Sequence, residues 1–491
     1  MSVELTPEQR AAVEQRDTGL FVHANAGSGK TRVLVERFVR AVVDDGVAVD
    51  RILAITFTEK AAAELKARLR RRFLELGERG HARKAEGAWV STIHGFCSKL
   101  LRRHALLAGI DPEYEVLDET QAARLAIDSF DRALEGFLDP GEPARLDLAA
   151  AHTPDRLRRM VTTVHAKRRS AGEAAPALPE IDEPGLGEER GGLEAALANA
   201  LVELGEHAGV SRVDDAIAKL ERCGDALAAV PDGEVGDPAA FAGFVVKPGR
   251  TRALLGPRMT AAGDALQAWI AACAAQRGYR DYVLLRELLA AYTSTYAAAK
   301  ERISALDFED LELIACRVLE DNPALRERYE RQFEHVLVDE FQDTNRLQIR
   351  LLDLLTGRGG RLFTVGDEFQ SIYGFRHADL EVFRERRAQA STLLALTRNY
   401  RSRPQVLEAV NHLFGDAFGD DYQPLAASAE FADPVFGHPV ELLVTDKPSF
   451  AETKEHWRAG EAQRIAGRVR ELVDSGEAEP GEIVVLFAAG T

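Results

Sequence analysis

Cysteine is scarce in this sequence: Cys97, Cys223, Cys273 and Cys316 are the only four in 491 residues. None sits in a CxxC pair, so their spacing offers neither a zinc nor an iron–sulfur site, and reduced, partly buried thiols are expected. No run of ~18 uncharged apolar residues occurs, which excludes a membrane-spanning helix. The opening MSVELTPEQR is polar and lacks the apolar stretch of a signal peptide, so a cytoplasmic protein is expected. Positive charge is also short, with 62 Lys and Arg against 79 Asp and Glu and a formal net charge of −17. That balance argues against a protein that simply coats nucleic acid. It does not exclude a narrow basic channel on an acidic exterior, because net charge governs solubility and steering rather than local grip. One basic run, Lys66 to Lys84, holds Arg68, Arg70, Arg71, Arg72, Arg79 and Arg83. It reads either as a solvated helix face or as a DNA contact.

The length exceeds what one hydrophobic core serves, and about two to four domains are expected. Residues 19–24 (GLFVHA), 52–57 (ILAITF) and 89–93 read as buried strands. Helical patterns over Thr31–Val43 and Glu59–Leu74 alternate with them, which implies a parallel sheet with helices on its faces. From about 110 to about 300 the chain is helical, Ala-rich and charged, and 171–192 reads as an acidic flexible loop. No fixed-period repeat is visible. Strand signals return at 335–338 and 361–365. A further segment from Leu393, with a strand (LLAL), a helix from Pro404, strands at 439–444 and 482–487 and a helix over about 455–475, reads as the start of a second α/β domain.

Four motifs carry chemistry. Ala24-Asn25-Ala26-Gly27-Ser28-Gly29-Lys30-Thr31 joins a buried strand to an amphipathic helix. Gly27 and Gly29 allow a tight turn whose amides face a phosphate, and the helix presents its positive dipole end. Lys30 can reach β- and γ-phosphates, and Thr31 can ligate Mg²⁺. Val338-Asp339-Glu340 ends an apolar strand in two acids, suited to hold Mg²⁺ through water (Asp339) and to activate a water (Glu340). The segment from Gly366 to Arg376 places Gln370 to orient water, and interleaves Tyr373, Phe375 and Arg376 as a stacking surface for single-stranded bases. Asn399-Tyr400-Arg401-Ser402 offers an arginine to complete a nucleotide site, read as coming from a neighbouring domain.

In this order the motifs resemble the UvrD/Rep family of DNA helicases, the larger group that also holds the AddA and RecB helicase–nuclease subunits. Leu5-Thr6-Pro7-Glu8-Gln9 resembles the adenine-reading segment, with Gln9 at the base-contacting position. Arg32 stands where the family packs an arginine on adenine, and Tyr400 where a tyrosine stacks on it. Thr56 to Ala62 resembles the first DNA-contact motif, with Phe57 and Thr58, and Thr92 to Cys97 the next, with His94, in a form closer to AddA and RecB. The match spans residues 5 to about 410, without sharp motifs over 110–300. Three positions depart: His377 replaces a glycine, Phe375 a tryptophan, and Lys66 an arginine near the nucleotide. The family's later motifs, including a second catalytic arginine, are not among these residues, and no nuclease motif is visible.

The resemblance implies an α/β fold of P-loop NTPase, RecA-like, parallel-sheet motor domains with a large helical insertion. Residues 1–109 with 300–390 are expected to form the first motor domain, 110–299 the insertion, and 391–491 an incomplete second motor domain. It implies ATP and Mg²⁺ as cofactors, single-stranded or partly duplex DNA and nuclease or repair proteins as partners, no membrane, and 3′ to 5′ translocation. Gln9, Arg32 and Tyr400 are expected at adenine, residues 24–31 at the phosphates, Thr31 and Asp339 at the metal, and Lys30, Glu340, Gln370 and Arg401 in catalysis. Phe57, Thr58, His94, Tyr373, Phe375 and Arg376 are expected on DNA. A helicase component of a helicase–nuclease complex, and a helicase-like DNA-binding protein without full activity, stand beside this reading.

Overall fold

The computed structural model describes residues 4–139, 141–185, 188–231, 233–357, 361–371, 379–419, 422–428, 431, 438–450 and 456–486. It divides into two compact units, Met1–Ala108 with Ile314–Thr491, and Gly109–Leu313.

The first unit is built on six parallel strands: β1 (Leu20–Ala24), β2 (Ile52–Thr56), β3 (Trp89–Thr92), β4 (His335–Val338), β5 (Arg361–Gly366) and β6 (Leu393–Leu396), in the order β3-β2-β4-β5-β1-β6. Parallel strands covered on both faces read as unbroken apolar runs, and β1 to β4 are buried at every residue. Helices Lys30–Val43 and Glu59–Glu75 close one core, in which Val33, Phe38, Leu69, Phe73, Ile52 and Phe363 are buried together. Because every strand runs the same way, all six carboxyl ends share one edge of the sheet, where ligands of open α/β sheets bind.

β6 corrects one expectation. The LLAL run does not open a second domain; it pairs in parallel with β1, Phe21 opposite Leu393 through Ala24 opposite Leu396. It is the outer strand of the first sheet, and its half-exposed pattern reflects that edge. The runs at 439–444 and 482–487 are corrected too, since the described residues 439–444 and 483–486 form no strand. Leu442, Val484 and Leu486 are 87%, 77% and 89% exposed, so among the described residues these apolar runs have no neighbouring strand that would make them sheet. Helices Pro404–Phe418 and Trp457–Asp474 form where the pattern places them.

The second unit is helical. Its backbone is the 46-residue helix Pro257–Arg302, about 69 Å long at the usual rise. One end packs Trp269 among Leu197, Leu220 and Phe241, and the other packs Leu288 and Tyr292 against Phe130 and Leu157. The segment expected as a flexible loop is strapped to this helix. The carbonyls of Pro184, Pro179 and Pro176 accept from Gln276, Tyr282 and Thr293, and Glu180 pairs with Arg286. A buried ion quartet ties three helices together: Lys300 Nζ lies 2.6 Å from Asp307 and 2.5 Å from Asp310, and Arg169 reaches the same two carboxylates. Among the described residues no helix is long and apolar enough to cross a membrane.

Candidate functional site

Six strands and their following turns deliver the candidate residues to the common edge. β1 runs into the phosphate loop, where Gly27 (φ 67°) and Gly29 (φ 86°) adopt left-handed backbone. A side chain on either would also collide. A Cβ on Gly27 would stand 2.8 Å from Arg401 Cβ, and one on Gly29 2.9 Å from Gln9 Nε2. Gln9 is spent within the chain. It closes a capping box with Thr6, and its Nε2 donates to the Ser28 carbonyl at 2.9 Å.

β4 delivers Asp339 and Glu340. Glu340 has φ 50° and ψ 46°, one of two described non-glycine residues in the left-handed region. Such backbone costs of order 1–3 kcal/mol and persists where the surroundings over-determine it. Those surroundings are explicit. Lys30 Nζ donates to Glu340 Oε2 at 2.8 Å and to Gln370 Oε1 at 3.2 Å, and Gln342 Nε2 donates to the same Glu340 oxygen at 2.9 Å. Gln342 Oε1 accepts from the Asp367 amide at 2.9 Å, and Gln370 Nε2 donates to Asp367 Oδ2 at 2.6 Å. The turns after β1, β4 and β5 thus form one hydrogen-bonded ring around the Lys30 ammonium. Glu368 anchors the third turn from outside by pairing with Arg384 and Arg387.

A cavity of about 340 Å³ opens here, lined by Thr31, Phe57, Thr58, Arg68, Asp339, Glu340, Asp343 and Gln370 among others. Its acids outnumber its cations. Burial and then the Glu340 charge push Asp339 up to about 6 and Asp343 up to about 7. Asp367 is also raised, by burial.

β6 delivers the fourth motif from beside the phosphate loop, in the same sheet rather than from a neighbouring domain. Asn399 Nδ2 donates to the Ala26 carbonyl at 2.7 Å, while its Oδ1 accepts from the Arg401 and Ser402 amides, each at 2.8 Å. The Tyr400 amide donates to the Gly27 carbonyl at 2.9 Å. Ala24, Asn25 and Ala26 lead into this loop, and Arg32 follows Thr31 in its helix.

Phe57 and Thr58 follow β2, with Thr58 capping helix Glu59–Glu75, and His94 lies in the first turn of helix Ile93–Arg103 after β3. The two turns are tied where Thr92 Oγ1 donates to Glu59 at 2.6 Å. Tyr373, Phe375, Arg376 and His377 lie outside the described residues.

Four residues absent from the sequence-based candidates belong to the site: Asn399, Gln342, Asp367 and Arg68. Asn399 and Asp367 stand inside quoted motifs, and Gln342 lies two residues after the acid pair. Arg68 lines the cavity, the place near the nucleotide that the resemblance assigns to Lys66. Part of the basic run is internally neutralised, with Arg68 on Glu64, Arg70 on Glu86 and Arg72 on Glu36 and Glu75.

The sequence matches the UvrD/REP helicase N-terminal domain over residues 5–391. Three curated relatives each carry a name that makes them part of an ATP-dependent helicase/nuclease. That of Exiguobacterium sibiricum is 29% identical over 96% of this chain and 45% of its own length. That of Syntrophomonas wolfei is 29% identical over 83% and 38%, and that of Staphylococcus carnosus 28% over 96% and 44%. The chain spans less than half the length of these relatives.

Proposed function

From a chain that belongs to the UvrD/REP helicase family, we infer an ATP-dependent DNA helicase that couples hydrolysis to movement on DNA in repair or recombination. The observation that carries the reading is the ring in which Lys30 bridges Glu340 and Gln370 beside Thr31 and Asp339.

The residues fit ATP and Mg²⁺. The Gly27–Gly29 turn is a cradle that a Cβ would fill, and Ser28 Oγ is buried without a partner. The hydroxyl of Thr31 and the carboxylate of Asp339 are hard oxygen donors facing one cavity, the ligands Mg²⁺ prefers. Bound Mg²⁺ supplies neutralisation of charge building on the transferring phosphoryl group.

The chain's own residues then act in sequence. Residues 24–31 hold the phosphates, and Lys30 exchanges its Glu340 partner for phosphate oxygen. That releases Glu340 Oε2 to accept a proton from the attacking water, while Gln370, fixed by Asp367, orients it. Arg401 stabilises the developing charge, and Gln9, Arg32 and Tyr400 border the base. Phe57, Thr58 and His94, with Tyr373, Phe375 and Arg376, contact a single strand, and the direction proposed is 3′ to 5′. We read 109–313 as the helical insertion, and the chain beyond β6 as the start of a second motor domain. The relatives' name favours a second, compatible reading: a helicase working beside a nuclease partner.

In the intact protein, Lys30→Ala is expected to abolish DNA-stimulated ATP hydrolysis. Glu340→Gln is expected to lower it by about 10²–10⁴ while nucleotide still binds. Hydrolysis at the unaltered rate in either variant refutes the site assignment.

A further inference from the structure

Glu368, Phe369 and Gln370 form one short turn after β5, and their side chains go to three different partners. Glu368 pairs with Arg384 and Arg387, and Gln370 accepts from Lys30 at 3.2 Å. Phe369 stands between these polar residues as a half-buried ring. Its amide donates to Asp367 Oδ1 at 3.1 Å, while its ring meets two others. The ring centre lies 5.1 Å from that of Phe418 and 5.7 Å from that of Tyr422, at 52° and 67°. Phe418 and Tyr422 stack on each other at 6.4 Å, and Phe414 stacks on Phe418 at 5.8 Å. Angled and offset rings at such separations attract beyond the apolar area they cover. The apolar residue of a hydrophilic turn is thus matched to the end of helix Pro404–Phe418.

The ring cluster is fastened on its far side. The Tyr422 hydroxyl and the Leu425 amide both donate to Asn411 Oδ1, each at 2.8 Å. Asn411 Nδ2 donates to the Leu425 carbonyl at 3.0 Å. The next residues, Ala426 and Ala427, pair in parallel with Arg398 and Asn399, and the Ser428 amide donates to the Asn399 carbonyl at 2.9 Å. Asn399 in turn holds the Arg401 turn against the phosphate loop. Contacts therefore run unbroken from Gln370 through Phe369, Tyr422 and the 422–428 segment to Arg401. Gln370 and Arg401 come from different turns and are proposed to act on one phosphoryl transfer. Their mutual placement matters, because a misplacement of about 1 Å can cost about 10²-fold in rate.

We propose that Phe369 is a positioning residue for ATP hydrolysis: packed on Phe418 and Tyr422, its ring fixes the turn that aims Gln370 and sets it against the turn carrying Arg401. This deepens the reading of Gln370 as the group that orients the attacking water, and rests on it. Phe369 is not among the residues that line the cavity, so its effect reaches the reaction through Gln370.

The test is DNA-stimulated ATP hydrolysis by the intact protein under steady-state conditions. Phe369→Ala is expected to lower kcat by about 10–100-fold. KM for ATP is expected to stay within about twofold, with binding of a fluorescent ATP analogue unchanged. Phe418→Ala, at a ring 48% exposed, is the gentler change and carries the same test should Phe369→Ala not fold. It is expected to lower kcat by less, since Tyr422 remains. A Gln370→Ala background separates positioning from loss of structure. There Phe369→Ala is expected to cost less than about twofold more, because residues that act as a unit are not additive. Unaltered kcat in either ring variant overturns the proposal, as does an undiminished cost of Phe369→Ala in the Gln370→Ala background. A raised KM with kcat unchanged also overturns it, since the ring then serves binding. Gln370→Ala hydrolysing at the unaltered rate overturns the role given to Gln370 together with the positioning.

Discussion

Asn399 shows how much a site depends on a residue that does no chemistry. Its side chain makes three hydrogen bonds, one to the phosphate loop and two that shape the turn carrying Arg401. Asn399→Ala is expected to destabilise the first unit by about 1–3 kcal/mol, since buried backbone groups lose their partners. It should also weaken nucleotide binding, because Arg401 is no longer held against Gly27. Chemical denaturation and titration with a fluorescent nucleotide measure the two effects, and a variant unchanged in both removes Asn399 from the site. Gly27→Ala should be harsher for nucleotide affinity, as it meets both a left-handed φ and a 2.8 Å approach to Arg401 Cβ. At this scale the sequence is legible wherever a residue type has one job, as in the roles proposed for Lys30 and the Asp339–Glu340 pair. It is not legible where a side chain serves its neighbours. Gln342 looks like filler between two acids, yet it joins Glu340 to Asp367.

Among elements, the buried strands are readable because parallel strands covered on both faces need unbroken apolar runs, as in LFVHA, ILAIT and HVLV. LLAL is equally apolar, but its partner lies more than 370 residues away in β1, and composition carries no trace of that pairing. The strap over 171–185 is misread for the opposite reason. Its Pro and Gly content denies it regular structure without preventing its carbonyls from bonding to the long helix. The ion quartet is similarly invisible, since Lys300 and Arg169 are ordinary residues of charged helices. Lys300→Ala leaves Asp307 and Asp310 buried with Arg169 alone, and an expected cost of about 3–5 kcal/mol follows. A midpoint shift in urea unfolding of the second unit checks it, and a cost below about 1 kcal/mol would mean water already reaches the quartet.

For the molecule as a whole, acid should act through opposing groups. His165 is 4% exposed, and burial followed by the Arg169 and Lys300 charges brings it down to about 3. The unfolded chain takes up its proton near pH 6.5 while the fold refuses it, so stability falls as pH falls from about 6.5 toward 3. Asp339 and Asp343 are raised and oppose this, gaining protons more readily in the fold. A difference measurement separates them. His165→Phe should flatten the acid limb of stability by about 1.4 kcal/mol per pH unit relative to the unaltered chain. Parallel curves would show that His165 is solvated. One last consequence concerns selection. The left-handed backbone at Glu340 suits glycine better than glutamate. A screen that ranks variants by survival of heat should therefore reward Glu340→Gly, enriching sturdier molecules that have lost the carboxylate proposed as the base for hydrolysis.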